Sequence, residues 1–317
     1  MKLAAFNINF DSLGYEYGFP AWYNDPSFFS IADRFFDLAE RYKFKYTIFV
    51  IGRDLEKPEN REAVQKWADH GHEIGNHSWS HGPDLVQLEK GEVRREVEKA
   101  HEIIFKATGL EPKGFLSRGW VCSEPLLEIL LDLNYEYDTS QFPSWLALPM
   151  ILKIWLNRRQ MNESENKILN FQNLIYPFFG RRSEFLSMGK LYAESDLTSF
   201  GSQEKKIAIL PLPTTRLRFP CWHTLAYVFG RSFHKRILQA CLNQAGGFYY
   251  LMHPADLMVK EDLMPDRPCY FSRINFPLQK KIEILEESIL MIINSGRKMV
   301  TMRELAWAVL GRLPSSP

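Results

Sequence analysis

The stretch GHEIGNHSWSH, residues 71–81, joins a strand signal to two histidines that lie four residues apart, His77 and His81. HEIGNHS predicts a short strand that leaves into a loop, because an apolar residue is followed by a glycine–asparagine break. Two imidazoles at this spacing face the same way if the residues between them form one turn. Such a pair also arises by chance among eight histidines, and we interpret the neighbouring His72 as a surface or packing residue.

Outward from this stretch, strand and helix patterns alternate along the chain. Residues 45–52, KYTIFVIG, predict a buried strand, and residues 60–71 and 89–109 predict helices that end at glycine. A first strand runs from Leu3 to Phe10, and GGFYYLMHP predicts a late strand. This rhythm is typical of parallel strands joined by crossover helices.

Residues 145–205 interrupt the rhythm, and we interpret them as an insertion within one domain that spans residues 1–317. Near its start, FPSWLALPMILKIWLN, residues 142–157, carries a single charge, Lys153, and is followed by two arginines. A buried helix or lid would explain this segment. An interfacial helix with its arginines at the lipid headgroups would explain it equally well.

Composition sets further bounds. The chain has 317 residues, 45% of them hydrophobic, which is enough for a large core. Its formal net charge of +1 does not favour a nucleic-acid partner. Its four cysteines contain no C-x-x-C pair, which favours packing roles and a reducing compartment. The early polar residues of MKLAAFNINFDSLG argue against a signal peptide, so we expect a cytoplasmic protein.

Residues that carry chemistry follow the predicted strands. In α/β folds such residues collect where strands end. A carboxylate and two histidines at separate strand ends are the donor set of hydrolytic metal sites, so the sequence predicts a divalent metal bound there. We expect zinc, with cobalt, nickel and manganese as alternatives. The polar residues that follow the five predicted strands are Asp11, His77 with His81, Arg118 with Trp120, Asp138, and His253.

These segments, in this order, resemble the NodB-type polysaccharide deacetylases, which comprise carbohydrate esterase family 4 and its relatives. The resemblance rests on KYTIFVIG, GHEIGNHSWSH, KGFLSRGW, YEYDTSQFPS and YYLMHP. It implies a distorted, incompletely closed (β/α)7-type barrel. It also implies metal-dependent removal of an N-acyl group, acetyl or formyl, from an amino sugar in cell-envelope glycan synthesis.

The resemblance also implies roles for residues. His77 and His81 would be metal ligands, with Asp11 as the third. His253 would be the general acid that protonates the leaving amine, and Asp138 would be a carboxylate near the catalytic base or histidine. Trp120 would contact the substrate.

The chain departs from the family pattern at the first strand. The commoner motif has two adjacent aspartates as base and ligand, whereas here Ser12 follows Asp11. A second branch has D-x-D, and in that register Asn9 occupies the base position and Asp11 the ligand position. Asparagine cannot accept a proton near neutral pH. We favour Asp11 as the ligand, which leaves the base absent or supplied from elsewhere.

The third motif departs as well, because Leu116 stands where the family has an arginine. Arg118 would either reach the same place or bind a substrate phosphate. The D-x-D branch includes enzymes that act on polyprenyl-phosphate-linked sugars, which this chain resembles in residues 210–224. There, Arg216 and Arg218 would either contact a phosphate or lie on a solvated edge.

The sequence therefore predicts a deacetylase or deformylase that acts on a lipid-linked amino sugar, peripheral on the inner face of the cytoplasmic membrane. The alternative is a degenerate homologue that binds a glycan or lipid-linked sugar without turnover, because Asn9 replaces the base. A metal-free amidohydrolase is disfavoured, since both histidines are present.

Overall fold

The computed structural model describes residues 2–13, 22–82, 85–144, 198–201, 205–244, 246–263 and 272–312. In these ranges the strands are β1 Leu3–Phe10, β2 Tyr46–Val50, β3 Glu73–Asn76, β4 Gly114–Phe115, β5 Tyr137–Asp138, β6 Thr198–Gly201, β7 Lys206–Ile209, β8 Phe248–Met252 and β9 Lys298–Met299. The helices are α1 Ser30–Tyr42, α2 Pro58–Asp69, α3 Lys90–Thr108, α4 Glu124–Asp132, α5 Leu225–Val228, α6 Arg231–Leu242, α7 Leu278–Ile293 and α8 Met302–Val309.

The strands form one sheet in the order β6-β7-β5-β4-β3-β2-β1-β8, with β9 also paired to β1. The paired strands of the described residues are parallel except β6 with β7, which are antiparallel. Among the described strands, the two ends of this order do not pair with each other, so the sheet curves without closing. The predicted incompletely closed α/β barrel is confirmed as a half-barrel of parallel strands with helices.

Strand β1 is buried along its whole length between β2 and β8. Its side chains alternate between the two faces of the sheet. Phe6, Ile8 and Phe10 belong to the core cluster that also contains residues of α1 and α2. The alternate residues, Asn7 and Asn9, therefore face the barrel interior, and Asp11 follows them on the same side. This alternation places polar groups on the inner face of an otherwise apolar strand.

The helix predictions at residues 60–71 and 89–109 are confirmed as α2 and α3. Helix α3 ends where Gly109 adopts a left-handed conformation, with φ of 70°, and donates its backbone N–H to the carbonyl of Phe105. A glycine adopts this conformation without the steric cost that a Cβ would bring. The same arrangement explains why a glycine marked the helix end in the sequence.

The predicted insertion at 145–205 is only partly described. Its described part includes β6, which pairs with β7 and so belongs to the sheet. Residues 145–197, and with them most of the apolar segment 142–157, lie outside the described residues. Within the described part of the chain, no helix is both long and apolar enough to cross a bilayer.

Candidate metal centre and active site

The loop after β3 folds tightly around short polar side chains. Asn76 ends the strand, and its Oδ1 accepts a hydrogen bond from the backbone N–H of Ser78 at 2.8 Å. The Ser78 hydroxyl in turn accepts from the backbone N–H of His81 at 3.1 Å. Ser78 and His81 both adopt positive φ, at 61° and 54°. These side-chain-to-backbone bonds support a conformation that costs energy for residues other than glycine.

The result of this turn is that two imidazoles converge with a carboxylate. His77 Nε2 and His81 Nε2 are 3.0 Å apart. Asp11 Oδ1 lies 3.3 Å from the first of these nitrogens and 3.4 Å from the second. We call Asp11, His77 and His81 the metal trio. The trio lies where the carboxyl ends of β1 and β3 meet. The sequence predicted this position from the polar residues that follow the strands.

The trio fits a divalent transition metal. Atoms bonded to one ion at about 2.0–2.2 Å must lie about 3 to 3.5 Å from each other, and the three separations fall in that range. His77 Nδ1 donates to the backbone carbonyl of Leu116 at 2.6 Å, because a carbonyl oxygen can only accept. A neutral His77 therefore has its lone pair on Nε2, inside the trio. Such a second bond is typical of metal-binding histidines.

The members of the trio shift one another's pKa values. Burial acts to raise the pKa of Asp11, but its interactions with His77, His81 and His253 outweigh it. The net pKa of Asp11 lies well below its ordinary value. Burial and the neighbouring His81 lower the pKa of His77. An ionised Asp11 and a His77 that resists protonation match the deprotonated state that a metal requires of its ligands.

The surroundings of Ser12 and Asn9 distinguish between the two alignments of the first family motif that the sequence allows. The Ser12 hydroxyl donates to the carboxylate of Asp54, so it is engaged away from the histidines. Asp11, not Ser12, lies beside His77 and His81. This placement favours the alignment with the D-x-D motif. Asn9 then occupies the base position. Its Oδ1 is buried and has no hydrogen-bond partner among the described residues.

His253 lies on the other side of Asp11. Met252 pairs with Ile8 in the sheet, so the next residue of this chain segment emerges beside the end of β1. His253 Nε2 is 3.9 Å from Asp11 Oδ2. The sheet thus brings the predicted general acid to the metal trio from a position far along the chain.

Arg118 and Trp120 follow β4 and border the site. Arg118 donates to the backbone carbonyl of His81 at 3.2 Å, so it contacts the loop that carries a metal ligand. The Trp120 ring lies 5.2 Å from Phe142 and 5.8 Å from Trp222. The indole Nε1 is buried without a hydrogen-bond partner among the described residues. Its role in substrate binding stays a prediction.

Asp138 is fully buried at the end of β5. Its carboxylate accepts from the Ser140 hydroxyl at 2.6 Å and from the Ser140 backbone N–H at 3.0 Å. Burial raises the pKa of Asp138 to about 6, against the hydrogen bonds from Ser140 and Cys122. These bonds tie Asp138 to its own strand end. Its predicted catalytic role is untested.

Arg216 and Arg218 lie in a turn between Thr214 and Pro220, which form a bridge. This turn borders a groove with residues of α6, and Gln244, which follows that helix, donates to the carbonyl of Thr214. Gln244 precedes β8, whereas His253 follows it. The two arginines therefore lie toward the amino end of β8, and their role as phosphate ligands stays a prediction.

The structure also shows residues that the sequence reasoning missed. Asp256 lies beside His253, and Thr224 and Arg273 contact its carboxylate. The spacing of Asp256, three residues after His253 with a proline between them, was a usable signal. Thr224 and Arg273 had none, because only the packing brings them there. His72, by contrast, is a packing residue, as interpreted: it stacks on Phe36.

Comparison with known proteins agrees with this geometry. Residues 23–137 match the family model described as Polysaccharide deacetylase. Peptidoglycan-N-acetylglucosamine deacetylase from Bacillus cereus is 36% identical over 77 residues, which cover 24% of this chain and 27% of that protein. The alignment thus spans little more than a quarter of the relative's length.

Two solved structures share the fold. A candidate polysaccharide deacetylase from Mycobacterium smegmatis matches with a TM-score of 0.58 and 14% identity, over 100% of this chain and 94% of that one. A CE4 family pseudoenzyme from Bacillus anthracis matches with a TM-score of 0.50 and 15% identity, over 96% and 66%. Residues 23–137 are therefore similar to the polysaccharide deacetylase family, and the two solved structures share the fold of the chain.

Proposed function

We propose that this chain is a metal-dependent N-deacylase that acts on an amino sugar of a cell-envelope glycan. The observation that carries the proposal is the metal trio, whose donor atoms all lie within 4.8 Å of one another at the carboxyl ends of two parallel strands. The family match and the deacetylase from B. cereus support removal of an acetyl group from an N-acetylated glycan.

Each residue of the site then has a part in the reaction. A divalent metal held by Asp11, His77 and His81 would activate water and polarise the amide carbonyl. His253, next to Asp11, delivers a proton to the leaving amine. Arg118 holds the loop of His81 in place. Trp120 packs on the buried Phe142 and Trp222 and is the partly exposed ring of this cluster on which a sugar can stack.

We propose a lipid-linked amino sugar with an acetyl or formyl group, and peripheral contact of the protein with the inner face of the cytoplasmic membrane. The support for the membrane contact is the charge and exposure of one region, which includes the Arg216–Arg218 turn and lies away from the metal trio. Residues 205–255 contain seven lysines and arginines and no aspartate or glutamate. Within them, Leu217 lies between two arginines and is 83% exposed.

Metal content tests the proposal directly. We expect about one divalent transition metal per chain by plasma mass spectrometry after loading with zinc or cobalt. His77→Ala should lose it, because removal of one of three protein ligands leaves too few donors. His72→Ala is the matched control, since His72 directly precedes β3 but packs on Phe36, outside the trio. Retention of the metal by His77→Ala, or its loss from His72→Ala, would contradict the assignment.

A second function is favoured by one residue. With Asn9 at the base position, the chain could bind a glycan or lipid-linked sugar and not turn it over. The B. anthracis structure shows that the fold also occurs in a pseudoenzyme. The two candidates share the metal trio, so metal content does not separate them. Hydrolysis by the native protein and by an Asn9 variant does.

A further inference from the structure

The imidazole of His253 lies between two carboxylates. On one side its Nε2 is 3.9 Å from Asp11 Oδ2, in the metal trio. On the other side its Nδ1 is 3.8 Å from Asp256 Oδ2. The same Asp256 oxygen accepts the backbone N–H of His253 at 2.8 Å. Asp256 reaches back in this way because Pro254–Asp256 forms one turn of 3-10 helix directly after His253.

Asp256 is fully buried, and a buried carboxylate is costly unless it is paired and hydrogen-bonded. Arg273 Nε lies 3.1 Å from its Oδ1, and the Thr224 hydroxyl donates to that oxygen at 3.0 Å. Burial acts to raise the pKa of Asp256, but the charge of Arg273 and the adjacent His253 outweigh it and the net pKa is lowered. The group is therefore held ionised at a fixed position.

A comparison within the chain separates this arrangement from an ordinary helix cap. Asp262 makes the same cap one turn later, because its Oδ2 accepts the backbone N–H of Val259 at 2.7 Å. It also pairs with an arginine, Arg34, at 2.6 Å. The residue that Asp262 caps is a valine, whereas the residue that Asp256 caps is the histidine beside the metal trio. Both aspartates therefore cap a turn and pair with an arginine. Asp256 differs from Asp262 because it also lies beside an imidazole.

The resemblance to the deacetylases implies that Asp138 is the carboxylate near the catalytic base or histidine. That carboxylate accepts two hydrogen bonds from Ser140, within its own strand end. Asp256 is the carboxylate that approaches His253 Nδ1, and this nitrogen is buried with no hydrogen-bond partner among the described residues. A small rotation of the imidazole would close the 3.8 Å gap, and such bonds are commonly long before substrate binds.

We propose that Asp256 is the positioning residue for His253. It accepts the hydrogen bond from Nδ1–H and so directs Nε2 toward the metal trio and the leaving amine; in the imidazolium form the Nε2–H is the proton that His253 delivers to that amine. This assignment rests on the proposed function, in which His253 is the general acid. Arg273 and Thr224 keep the carboxylate in place and ionised, and Asp256 itself does not touch the substrate.

The test uses Asp256→Asn in the full chain, loaded with zinc. Nitrogen-15 NMR of the imidazoles, with His253→Gln to identify the resonances, reports which ring nitrogen carries the proton. We expect His253 Nδ1 to carry a proton in both the neutral and the imidazolium form of the native protein, and we expect the neutral form to shift toward Nε2–H in Asp256→Asn. Metal content should stay unchanged. On an N-acetylglucosamine oligomer, kcat should fall by about 100-fold with KM nearly unchanged, since general acid catalysis contributes on that scale.

Two further variants keep the test decisive. Asp262→Asn removes a cap and an arginine partner of the same kind, so it should lower stability without altering the His253 proton or kcat. Thr224→Val removes one hydrogen bond from Asp256 and serves if Asp256→Asn does not fold; we expect a smaller change in the same direction. An unchanged His253 tautomer and kcat in both Asp256→Asn and Thr224→Val would overturn the proposal. If the native protein hydrolyses nothing while the tautomer responds, the proposed function fails and the positioning role stands.

Discussion

Asn9 lies near the end of β1, and Asp11 follows the strand two residues later, where its backbone N–H donates to the carbonyl of Asn9. The structure sets Asp11 against the two histidines and leaves Asn9 beside it, buried, with an amide where a base would be expected. One residue thus separates a hydrolase from a binding protein. An amide cannot take the proton that water loses as it attacks a carbonyl, whereas a carboxylate can.

Asn9→Asp is the substitution that distinguishes the two candidates. If the missing base limits turnover, hydrolysis of an N-acetylglucosamine oligomer by the zinc-loaded variant should rise by about 100-fold or more over the native protein. Asn9→Ala, which supplies no base, should stay at the native rate. Native activity that Asn9→Asp does not increase would show that the base comes from another residue and would rule out the degenerate homologue.

At the scale of elements, α6 and β8 are joined by a buried chain of hydrogen-bonding side chains. The Tyr250 hydroxyl lies 2.9 Å from His223 Nδ1 and 3.0 Å from His234 Nε2. Burial lowers the pKa of His223 to about 4 and that of His234 to about 3, from an ordinary value of 6.5. Both imidazoles are therefore neutral in the folded protein over the range in which they become charged in the unfolded chain.

This difference gives stability a definite pH dependence. The pKa values are depressed by folding, so the stabilisation is complete above pH 6.5 and is lost as the pH falls toward 4. Each histidine should contribute a loss of about 1.4 kcal/mol per pH unit in that window. We expect His234→Gln to reduce the slope of unfolding free energy against pH, measured by urea unfolding between pH 7 and 5. The exposed His70→Gln is the control, and equal slopes in native protein and His234→Gln would refute the explanation.

At the scale of the whole molecule, charge and apolar exposure coincide on one surface. The exposed apolar residues near the Arg216–Arg218 turn are Leu217, Val228, Phe229 and Phe233. Arg216 and Arg236 are exposed in the same region. An apolar tip between cations is suited to an anionic lipid surface, since the side chain enters the headgroup region while the guanidinium groups meet phosphates.

We expect the protein to sediment with vesicles that contain phosphatidylglycerol and not with phosphatidylcholine alone. Leu217→Glu should reduce the bound fraction by roughly 10-fold, because it removes buried apolar area and adds a like charge to the lipid. Leu110→Glu is the matched control, since Leu110 is 60% exposed at the end of α3. Binding that survives Leu217→Glu would exclude this turn as the contact, and deletion of 145–160 would then test the apolar segment.

The sequence by itself determined the order of strands and helices along the chain, the barrel class and the three members of the metal trio. Residue patterns carry this information because the hydrophobic pattern of a strand or helix is complete within a short run of residues. β2, α3 and β8 are each predicted from such a run. Polar residues at strand ends could be grouped in advance, since parallel strands bring their carboxyl ends to one edge. Asp11, His77 and His253 were found in this way.

Only the tertiary structure decided which polar groups meet. It engaged Ser12 with Asp54 and so favoured Asp11 as the ligand. It held Asp138 at its own strand end and set Asp256, with Thr224 and Arg273, beside His253. These contacts join residues far apart in the chain, and their distances depend on how helices pack on a curved sheet, which no local pattern encodes.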